Sequence, residues 1–294
     1  MRALAAGLLL LVLASCVSNA PPPIPLKPVR FLLLNDVSNT EVLSDGRGSL
    51  ARVATVRQRL DDQGPVLFVL AGDILTTGSA GDAYHGRAMV DVLNQAQLNY
   101  ATFGDRAFDV GVDTLAARIA ESKFTWISSN CVRSNGTAFP KVLAWDTVRV
   151  SGHKVGLFGL TLQGDYPGGV RCSNPDSAAH RAIETLTSEE TDLIVAVTHQ
   201  TMDADRNLLG RESKLDLILG GHDRAAADSV VSGRHALKAD ADARNVQFVT
   251  LWGGKGSWRQ AVGLVRVDAG IPADTVVSRA IAGWRDSLQG RQAR

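Results

Sequence analysis

Short apolar runs recur along the chain, and most of them are continuous rather than alternating with polar residues. Unbroken runs of Val, Ile and Leu are typical of strands buried on both faces, in a sheet that helices cover. Helical periodicity between the runs predicts helices at residues 49–62, 84–97, 112–122 and 175–186, and residues 142–160 are predicted to form a β-hairpin around SGHK. The predicted strands are VRFLLLND (29–36), VLFVLAGD (66–73), YATFGD (100–105), FTWISSN (124–130), DLIVAVTH (192–199) and LDLILGGH (215–222). This pattern indicates an α/β fold.

Five of these six strands end in an acidic residue or a histidine, and the sixth ends in Asn. Ligands of an open α/β sheet bind outside the carboxyl ends of its strands, so the end residues are expected to converge. Each one alone is explained equally well as the cap of the following helix or turn. Together, carboxylates and imidazoles form a donor set for Zn²⁺, Mn²⁺ or Fe. The predicted metal ligands are Asp36, Asp73, Asp105, His199 and His222.

Composition narrows the classes of function. The 294 residues allow one large α/β domain, although length alone also permits two. A net charge of +1 and 5% aromatic residues provide no stripe of cations and no stacking platform, which argues against a nucleic-acid partner. No glycine-rich phosphate loop of the Walker type is present in the sequence.

The N-terminus predicts export. Arg2 precedes an apolar stretch at residues 3–13 that is too short to span a bilayer, and LASC resembles the lipoprotein box that ends at the lipidated cysteine. We therefore expect a signal peptide at residues 1–15, a lipid on Cys16 and a proline-rich tether at residues 16–28. The alternative is an ordinary secretory signal with a chance cysteine. The lipoprotein interpretation predicts an extracytoplasmic location in a bacterial cell envelope, with the membrane contacted through the lipid anchor.

Two further cysteines, Cys131 and Cys172, would then lie in a compartment that permits disulfides. The sequence does not decide between a bridged pair and two free thiols.

Five blocks occur in chain order, namely LLLNDVSN at residue 32, LAGDILTTG at residue 70, FGDRAFDVG at residue 103, AVTHQ at residue 196 and LGGHDR at residue 219. They resemble the calcineurin-like metallophosphoesterases, and most of all their bacterial 5′-nucleotidase branch. The resemblance covers residues 29–270 as one domain, corresponds to the N-terminal catalytic domain of such proteins, and leaves residues 271–294 as a C-terminal tail. It implies a four-layer αββα sandwich with a dinuclear metal site that activates water for attack on a phosphate ester.

The first metal site of the family is damaged here. The resemblance assigns it Asp36 and Asp73, but Ser38 and Arg224 stand where the family has its two histidine ligands. We therefore expect this site to be lost.

The second metal site is complete by the same comparison. It is assigned Asp73, His199, His222 and Asp105, the last of which replaces an Asn but is still able to ligate. The resemblance therefore implies one divalent transition metal (Mn, Zn or Fe).

GDRAFD stands where the family has Gly-Asn-His-Glu-Phe-Asp. Arg106 thus occupies the place of the His that assists the leaving group, and Asp109 remains beside it as a predicted catalytic residue. Arginine stays protonated at physiological pH, yet it binds phosphate oxygens bidentately. Arg106 and Arg224 are therefore predicted to bind phosphate. The alternative is that both arginines only pair with the carboxylates of Asp36 or Asp109.

Two functions follow. One is a membrane-anchored, single-metal hydrolase of phosphate esters with impaired or altered catalysis, acting on a phosphate-containing small molecule. The other is a catalytically inactive surface lipoprotein that binds phosphate, a nucleotide or a protein partner.

Overall fold

Two β-sheets that face each other form the centre of the protein in the computed structural model, which describes residues 27–75 and 86–292. The first sheet has seven strands in the order β16-β15-β1-β2-β3-β4-β6. Its strands are β1 (Val29–Asn35), β2 (Val66–Ala71), β3 (Tyr100–Thr102), β4 (Thr125–Ile127), β6 (Val142–Leu143), β15 (Asn245–Gly254) and β16 (Ser257–Arg266).

The second sheet has six strands in the order β13-β14-β12-β11-β8-β7, and a small third sheet has the order β5-β10-β9. The strands of the second sheet are β7 (Trp145–Val150), β8 (His153–Thr161), β11 (Leu193–His199), β12 (Leu217–Gly220), β13 (Ala227–Val231) and β14 (Arg234–Lys238). Those of the third are β5 (Cys131–Val132), β9 (Gly164–Tyr166) and β10 (Val170–Cys172).

Helices cover the outer face of each large sheet, so the expected four-layer αββα sandwich is confirmed. Helices α1, α2, α3 and α6 share an apolar core with the first sheet, whereas α4 and α5 share one with the second. A third core, which includes Phe31, Val69, Leu157 and Val195, fills the space between the sheets. The helices are α1 (Leu50–Asp61), α2 (Arg87–Gln95), α3 (Val112–Glu121), α4 (Pro175–Ser188), α5 (Met202–Arg211) and α6 (Thr275–Gln292).

Parallel pairing brings the strand ends together. In the first sheet β1, β2 and β3 are parallel neighbours, with Asn35 opposite Ala71 and Ala71 opposite Thr102. In the second sheet β8, β11 and β12 are likewise parallel, with His199 opposite Thr161. The residues that follow these strands therefore lie along one edge of the sandwich, as the sequence pattern predicted.

The four predicted helices and the predicted hairpin (β7 with β8) are present, with ends shifted by a few residues. Helix α5 was not predicted, because its sequence is mostly polar. The expected tail at residues 271–294 differs as well, since it contains helix α6. Val277 and Ile281 are buried, and Trp284 Nε1 donates to Asp91 Oδ2 of α2 at 2.8 Å. Apolar residues three or four positions apart thus pack on the domain, while the charges of this segment face outward.

Cys131 and Cys172 are joined by a disulfide between β5 and β10, which resolves the alternative left open by the sequence. Cys16, the expected signal peptide at residues 1–15 and nearly all of the expected tether at residues 16–28 lie outside the described residues. No helix within the described ranges is long and apolar enough to cross a membrane.

Candidate metal and phosphate site

Three buried side chains converge where the two sheets meet. One ligand atom from each of Asp36, Asp73 and His199 lies within 4.8 Å of those of the other two. Asp36 follows β1, Asp73 follows β2 after one glycine, and His199 is the last residue of β11. The facing sheets therefore supply two carboxylates from one side and an imidazole from the other.

The backbone at this edge takes an unusual conformation. Asp36 (φ 53°), Asp73 (φ 50°), His222 (φ 79°) and Arg224 (φ 59°) all lie in the left-handed region. This region costs a residue with a side chain roughly 1–2 kcal/mol, although Asp tolerates it better than most. Four such residues at one site indicate that the fold holds the chain in turns that its sequence does not favour locally.

The ring of His199 is fixed by a partner on each nitrogen. Nδ1 lies 3.1 Å from the carbonyl oxygen of Ala71, which only accepts, so Nδ1 carries a proton. Nε2 lies 3.0 Å from Asp105 Oδ1 and 3.5 Å from Asp73 Oδ2. The ring therefore presents Nε2 to the carboxylates.

Two glycines make this close packing possible. A Cβ at Gly72 would lie 2.0 Å from His199 Nδ1, and a Cβ at Gly104 would lie 2.0 Å from Asp73 Oδ1. Any larger residue at either position would displace a member of the cluster. These glycines follow β2 and β3, within the LAGD and FGD blocks of the sequence.

Burial and the neighbouring charges alter the pKa values in the cluster. Burial lowers the pKa of His199, but the hydrogen bonds with Asp105 and Asp73 outweigh it and raise this pKa to about 10. The hydrogen bond with His199 lowers the pKa of Asp105. Burial raises the pKa of Asp36, against the opposing charge of His199. The protein thus holds one proton on Nε2 between two carboxylates.

These residues fit a divalent cation. Carboxylate oxygens and an imidazole nitrogen are the donors that Mn²⁺, Zn²⁺ and Fe²⁺ accept, and the donor atoms already converge. The carbonyl of Ala71 fixes the tautomer of His199 in the manner typical of metal-binding histidines. Asp36 is oriented as well, because Asn35 Nδ2 donates to its Oδ2 at 2.7 Å and the backbone N–H of His222 does so at 2.9 Å.

The grouping differs from the expected ligand set in two ways. Asp36, which was assigned to the lost site, belongs to the triad of converging side chains. His222, which was assigned to the complete site, does not: its Nδ1 lies 3.0 Å from Asp223 Oδ1, and its ring centroid lies 5.5 Å from that of His199. Asp105 contacts the triad through His199.

Arg106 and Asp109 lie on the surface, and Arg106 contacts the triad through its backbone. Arg106 is part of a short 3₁₀ helix, Asp105–Phe108, and its backbone N–H donates to Asp73 Oδ1 at 3.1 Å. Its side chain is exposed, as is that of Asp109, and within the described part of the chain the Arg106 guanidinium forms no ion pair. The alternative in which Arg106 pairs with Asp36 or Asp109 therefore finds no support in the structure.

The two positions that replace histidine ligands share one partner. Ser38 Oγ and its backbone N–H donate to Asp242 Oδ1 at 2.6 and 2.8 Å. Arg224 lies 3.6 Å from Asp242 Oδ2, rather than beside Asp36 or Asp109, and its side chain is 45% exposed. A serine, an arginine and a shared carboxylate thus stand at the positions where the resemblance placed the ligands of a second metal.

Sequence reasoning gave no role to Asp242, Lys238 or Asp205. Lys238 is the last residue of β14, so the same pattern of polar residues at strand ends could have identified it. Asp205 lies inside α5, which was not predicted. Lys238 and Asp205 are completely buried and lie 3.3 Å apart, behind the site.

Comparison with known proteins agrees with this architecture. The profile of the calcineurin-like phosphoesterase family matches residues 29–224. Snake venom 5′-nucleotidase of Naja atra is 26% identical over 194 residues, which are 60% of this chain and 36% of the relative. NAD 5′-nucleotidase of Haemophilus influenzae is 24% identical over 162 residues, which are 53% of this chain and 27% of the relative. The chain spans about one third of the length of the curated relatives it matches.

Solved structures share the fold. The calcineurin-like phosphoesterase YfkN of Bacillus subtilis superposes with a TM-score of 0.79 at 17% identity, over 92% of this chain and all of that one. A 5′-nucleotidase precursor of Thermus thermophilus gives the same TM-score at 19% identity, over 90% of this chain and 59% of that one. At these identities the likeness shows the fold alone.

Proposed function

Since the chain belongs to the calcineurin-like phosphoesterase family, we propose that it is a hydrolase of small phosphate esters that uses a single divalent metal. The observation that carries this proposal is the convergence of Asp36, Asp73 and His199, with each side chain oriented by its own hydrogen bonds. A site that had only decayed would not need three oriented ligands within 4.8 Å of one another.

Asp36, Asp73 and His199 would hold the metal, and Asp105 and His222, which lie next to this triad, would complete its ligands. A bound Mn²⁺, Zn²⁺ or Fe²⁺ supplies Lewis-acid chemistry and activates water for attack on phosphorus. Because Asp73 also accepts from the Arg106 backbone N–H, the ligand and the backbone that carries the guanidinium are fixed relative to each other.

Arg106 is the proposed contact to the phosphoryl group. Its exposed guanidinium extends from the 3₁₀ helix that begins at Asp105 and is available to bind two phosphate oxygens. It stabilises the negative charge that develops on the leaving oxygen, but it does not donate a proton to it as a histidine would. We therefore expect esters with good leaving groups to be the better substrates. Asp109, three residues later, is proposed to orient this arginine once substrate is bound.

Arg224 is proposed to bind the phosphoryl group from the other side. Asp242 Oδ2 lies 3.6 Å from the Arg224 guanidinium and neutralises only part of its charge. The Arg224 side chain is 45% exposed. A fixed guanidinium would thus provide positive charge where the family resemblance places a second metal.

The relatives indicate the class of substrate. The snake venom and Haemophilus proteins are named as nucleotidases, so we propose a nucleotide or another phosphate-containing small molecule for this chain.

Metal content and turnover, measured on the same preparations, test the proposal. The full-length chain should bind about one Mn²⁺ per molecule and hydrolyse an aryl phosphate. Asp73→Asn should lose most of both properties, whereas Asp165→Asn, which changes a carboxylate that is 80% exposed, should keep them. A stoichiometry near zero after metal supplementation would contradict the single-metal proposal.

Binding without hydrolysis is the second candidate. It is favoured by the replacement of the proton-transferring histidine by Arg106 and of two ligand positions by Ser38 and Arg224. Under this function the chain binds inorganic phosphate or a nucleotide, the Arg106→Ala and Arg224→Ala variants bind it more weakly, and no condition yields turnover.

We also propose that the chain is anchored to the bacterial envelope by a lipid on Cys16, with support from the LASC box and the prolines that follow it. Wild type and Cys16→Ser are compared by partitioning between detergent and aqueous phases. Only wild type should enter the detergent phase, and recovery of both proteins in the aqueous phase would refute the anchor.

A further inference from the structure

A buried lysine lies behind the site, and none of the roles above uses it. Lys238, at the end of β14, has no exposed surface, and its Nζ donates to the carbonyl of Gln200 at 2.6 Å and to Asp223 Oδ2 at 2.8 Å. Asp205 Oδ2 is 3.3 Å away and is also fully buried. A buried ammonium destabilises a fold unless acceptors surround it, so Lys238 strongly constrains where these acceptors lie.

Both oxygens of Asp223 are engaged. Oδ2 accepts from Lys238 and from the backbone N–H of Met202, each at 2.8 Å. Oδ1 is left to face His222 Nδ1 at 3.0 Å. Because an ionised carboxylate only accepts hydrogen bonds, Nδ1 of His222 carries the proton. A neutral His222 ring therefore has its lone pair on Nε2.

The ring of His199 is held in a similar way on the opposite side, with a partner that only accepts at Nδ1. Its Nδ1 is bound by a backbone carbonyl, its Nε2 faces the carboxylates, and the two ring centroids are 5.5 Å apart. The backbone N–H of His222 also donates to Asp36, a member of the triad. The backbone of His222 thus contacts the triad, and its ring contacts Asp223, which in turn binds Lys238.

We propose that Lys238 is a positioning residue that acts through Asp223 to keep Nε2 of His222 as the metal-binding nitrogen. The inference rests on the proposed metal-dependent function, but the hydrogen bonds that carry it belong to the metal-free chain.

Replacement of Asp223 by asparagine isolates this effect. Lys238 and the Met202 N–H both require an acceptor at the position of Oδ2, so the carbonyl oxygen of the new amide must lie there. Its NH₂ group then faces His222 Nδ1, which has to accept instead of donate. The proton of His222 moves to Nε2, and the ring no longer offers Nε2 to a metal.

The tautomer of His222 is measured directly in the metal-free, ¹⁵N-labelled full-length chain, at a pH where its ¹⁵N chemical shifts are those of a neutral ring. Long-range ¹H–¹⁵N spectra distinguish the two tautomers, and a His222→Gln variant assigns the signals. We expect the Nδ1–H form in wild type, the Nε2–H form in Asp223→Asn and a mixture of both in Lys238→Met. Asp203→Asn, which changes a side chain that is 89% exposed on α5, is the matched control and should resemble wild type.

Mn²⁺ affinity is measured on the same proteins by competition with a chelator. Asp223→Asn should bind Mn²⁺ at least about tenfold more weakly, as is typical when the partner of a ligating histidine is lost. If Lys238→Met does not fold, Asp223→Asn alone tests whether the contact between Lys238 and Asp223 sets the tautomer of His222.

An unchanged Nδ1–H tautomer in Asp223→Asn, or unchanged Mn²⁺ affinity in a variant whose tautomer has switched, overturns the proposal. If wild type binds no Mn²⁺ at all, the proposed function fails, but the tautomer switch still shows that Lys238 and Asp223 position the ring.

Discussion

At the scale of single residues, the two positions where the family resemblance implies histidine ligands lie close together, although neither residue is a histidine. Ser38 and Arg224 stand where the family resemblance implies histidines, and both contact Asp242. The backbone N–H of Asp242 in turn donates to the carbonyl of Asp36 at 3.0 Å. Positions 38 and 224 therefore still converge on the triad, although neither holds a metal ligand.

This convergence predicts that a second metal site can be restored. Ser38→His, Arg106→His and Arg224→His together should raise the bound Mn²⁺ from about one to about two per chain, because the two new imidazoles would meet near Asp36 and two repelling cations are removed. Hydrolysis of an aryl phosphate should rise at least about tenfold, a barrier change of roughly 1.4 kcal/mol. Metal analysis and steady-state kinetics on both proteins measure these effects.

The single reversions are the controls. Each should leave the bound Mn²⁺ near one per chain, because a metal held by too few ligands binds weakly. Arg106→His and Arg224→His alone should lower the activity, because each removes a proposed phosphate contact without restoring the second metal. A triple variant that still binds about one Mn²⁺, or that hydrolyses the ester more slowly than wild type, would contradict the restoration of the second site.

At the scale of elements, the sequence predicted the parallel strands that end at the site, but it did not predict β13 to β16, the third sheet or helices α5 and α6. Strands such as β2 and β11 are buried on both faces, so nearly every position before the strand end is apolar and the run is easily recognised. The polar residues that end them were identified for the same reason. Helices α5 and α6 have only a narrow buried stripe among many charges, so their pattern resembled a loop and a tail.

The pairing of side chains at the site could not be predicted from strand ends alone. That His222 faces Asp223, and that Asp36 joins His199, depends on turns with positive φ at Asp36 and His222. Aspartate and histidine adopt such turns more often than most residues do, but still too rarely for the sequence to predict one at a given position. The partner of Arg224 was missed because Asp242 is brought to the site by the turn after β14, not by a strand end.

Helix α6 provides a prediction at this scale with a matched control. Val277 is 1% exposed and its neighbour Val276 is 47% exposed. Val277→Ala should lower the free energy of unfolding by about 2 kcal/mol, because it leaves a cavity where α6 packs on the domain. Val276→Ala should change it by less than about 0.5 kcal/mol. Urea denaturation of both variants measures these changes. Equal changes in the free energy of unfolding would mean that α6 does not pack on the domain.

At the scale of the whole molecule, the structure predicts a pH dependence of stability away from the metal site. Asp216 lies just before β12, and burial raises its pKa to about 6, even though its Oδ2 accepts from the backbone N–H of Ile194 at 2.8 Å. The unfolded chain loses this proton near pH 4 and the folded chain near pH 6. The contribution of Asp216 to the free energy of unfolding is therefore greatest below pH 4 and decreases as the pH rises to 6.

Asp216→Asn removes this titration and retains an acceptor for Ile194. The variant should gain stability over wild type progressively between about pH 4 and pH 6, by at most about 3 kcal/mol. Thermal unfolding across this range measures the difference, with Asp203→Asn as an exposed control. A difference between the curves that does not vary with pH would show that Asp216 titrates normally.

The left-handed turns at the edge of the sandwich also bear on how this protein can be engineered. Asp36, Asp73, His222 and Arg224 all have a positive φ, a backbone conformation that glycine adopts at a lower energy than a residue with a side chain. At roughly 1 kcal/mol each, their combined strain is a sizeable part of the 5–15 kcal/mol that stabilises a typical domain. A library screened only for a higher melting temperature would therefore accumulate glycines at these four positions. The selected variants would be more stable, but they would lack two carboxylates, an imidazole and a guanidinium of the candidate site.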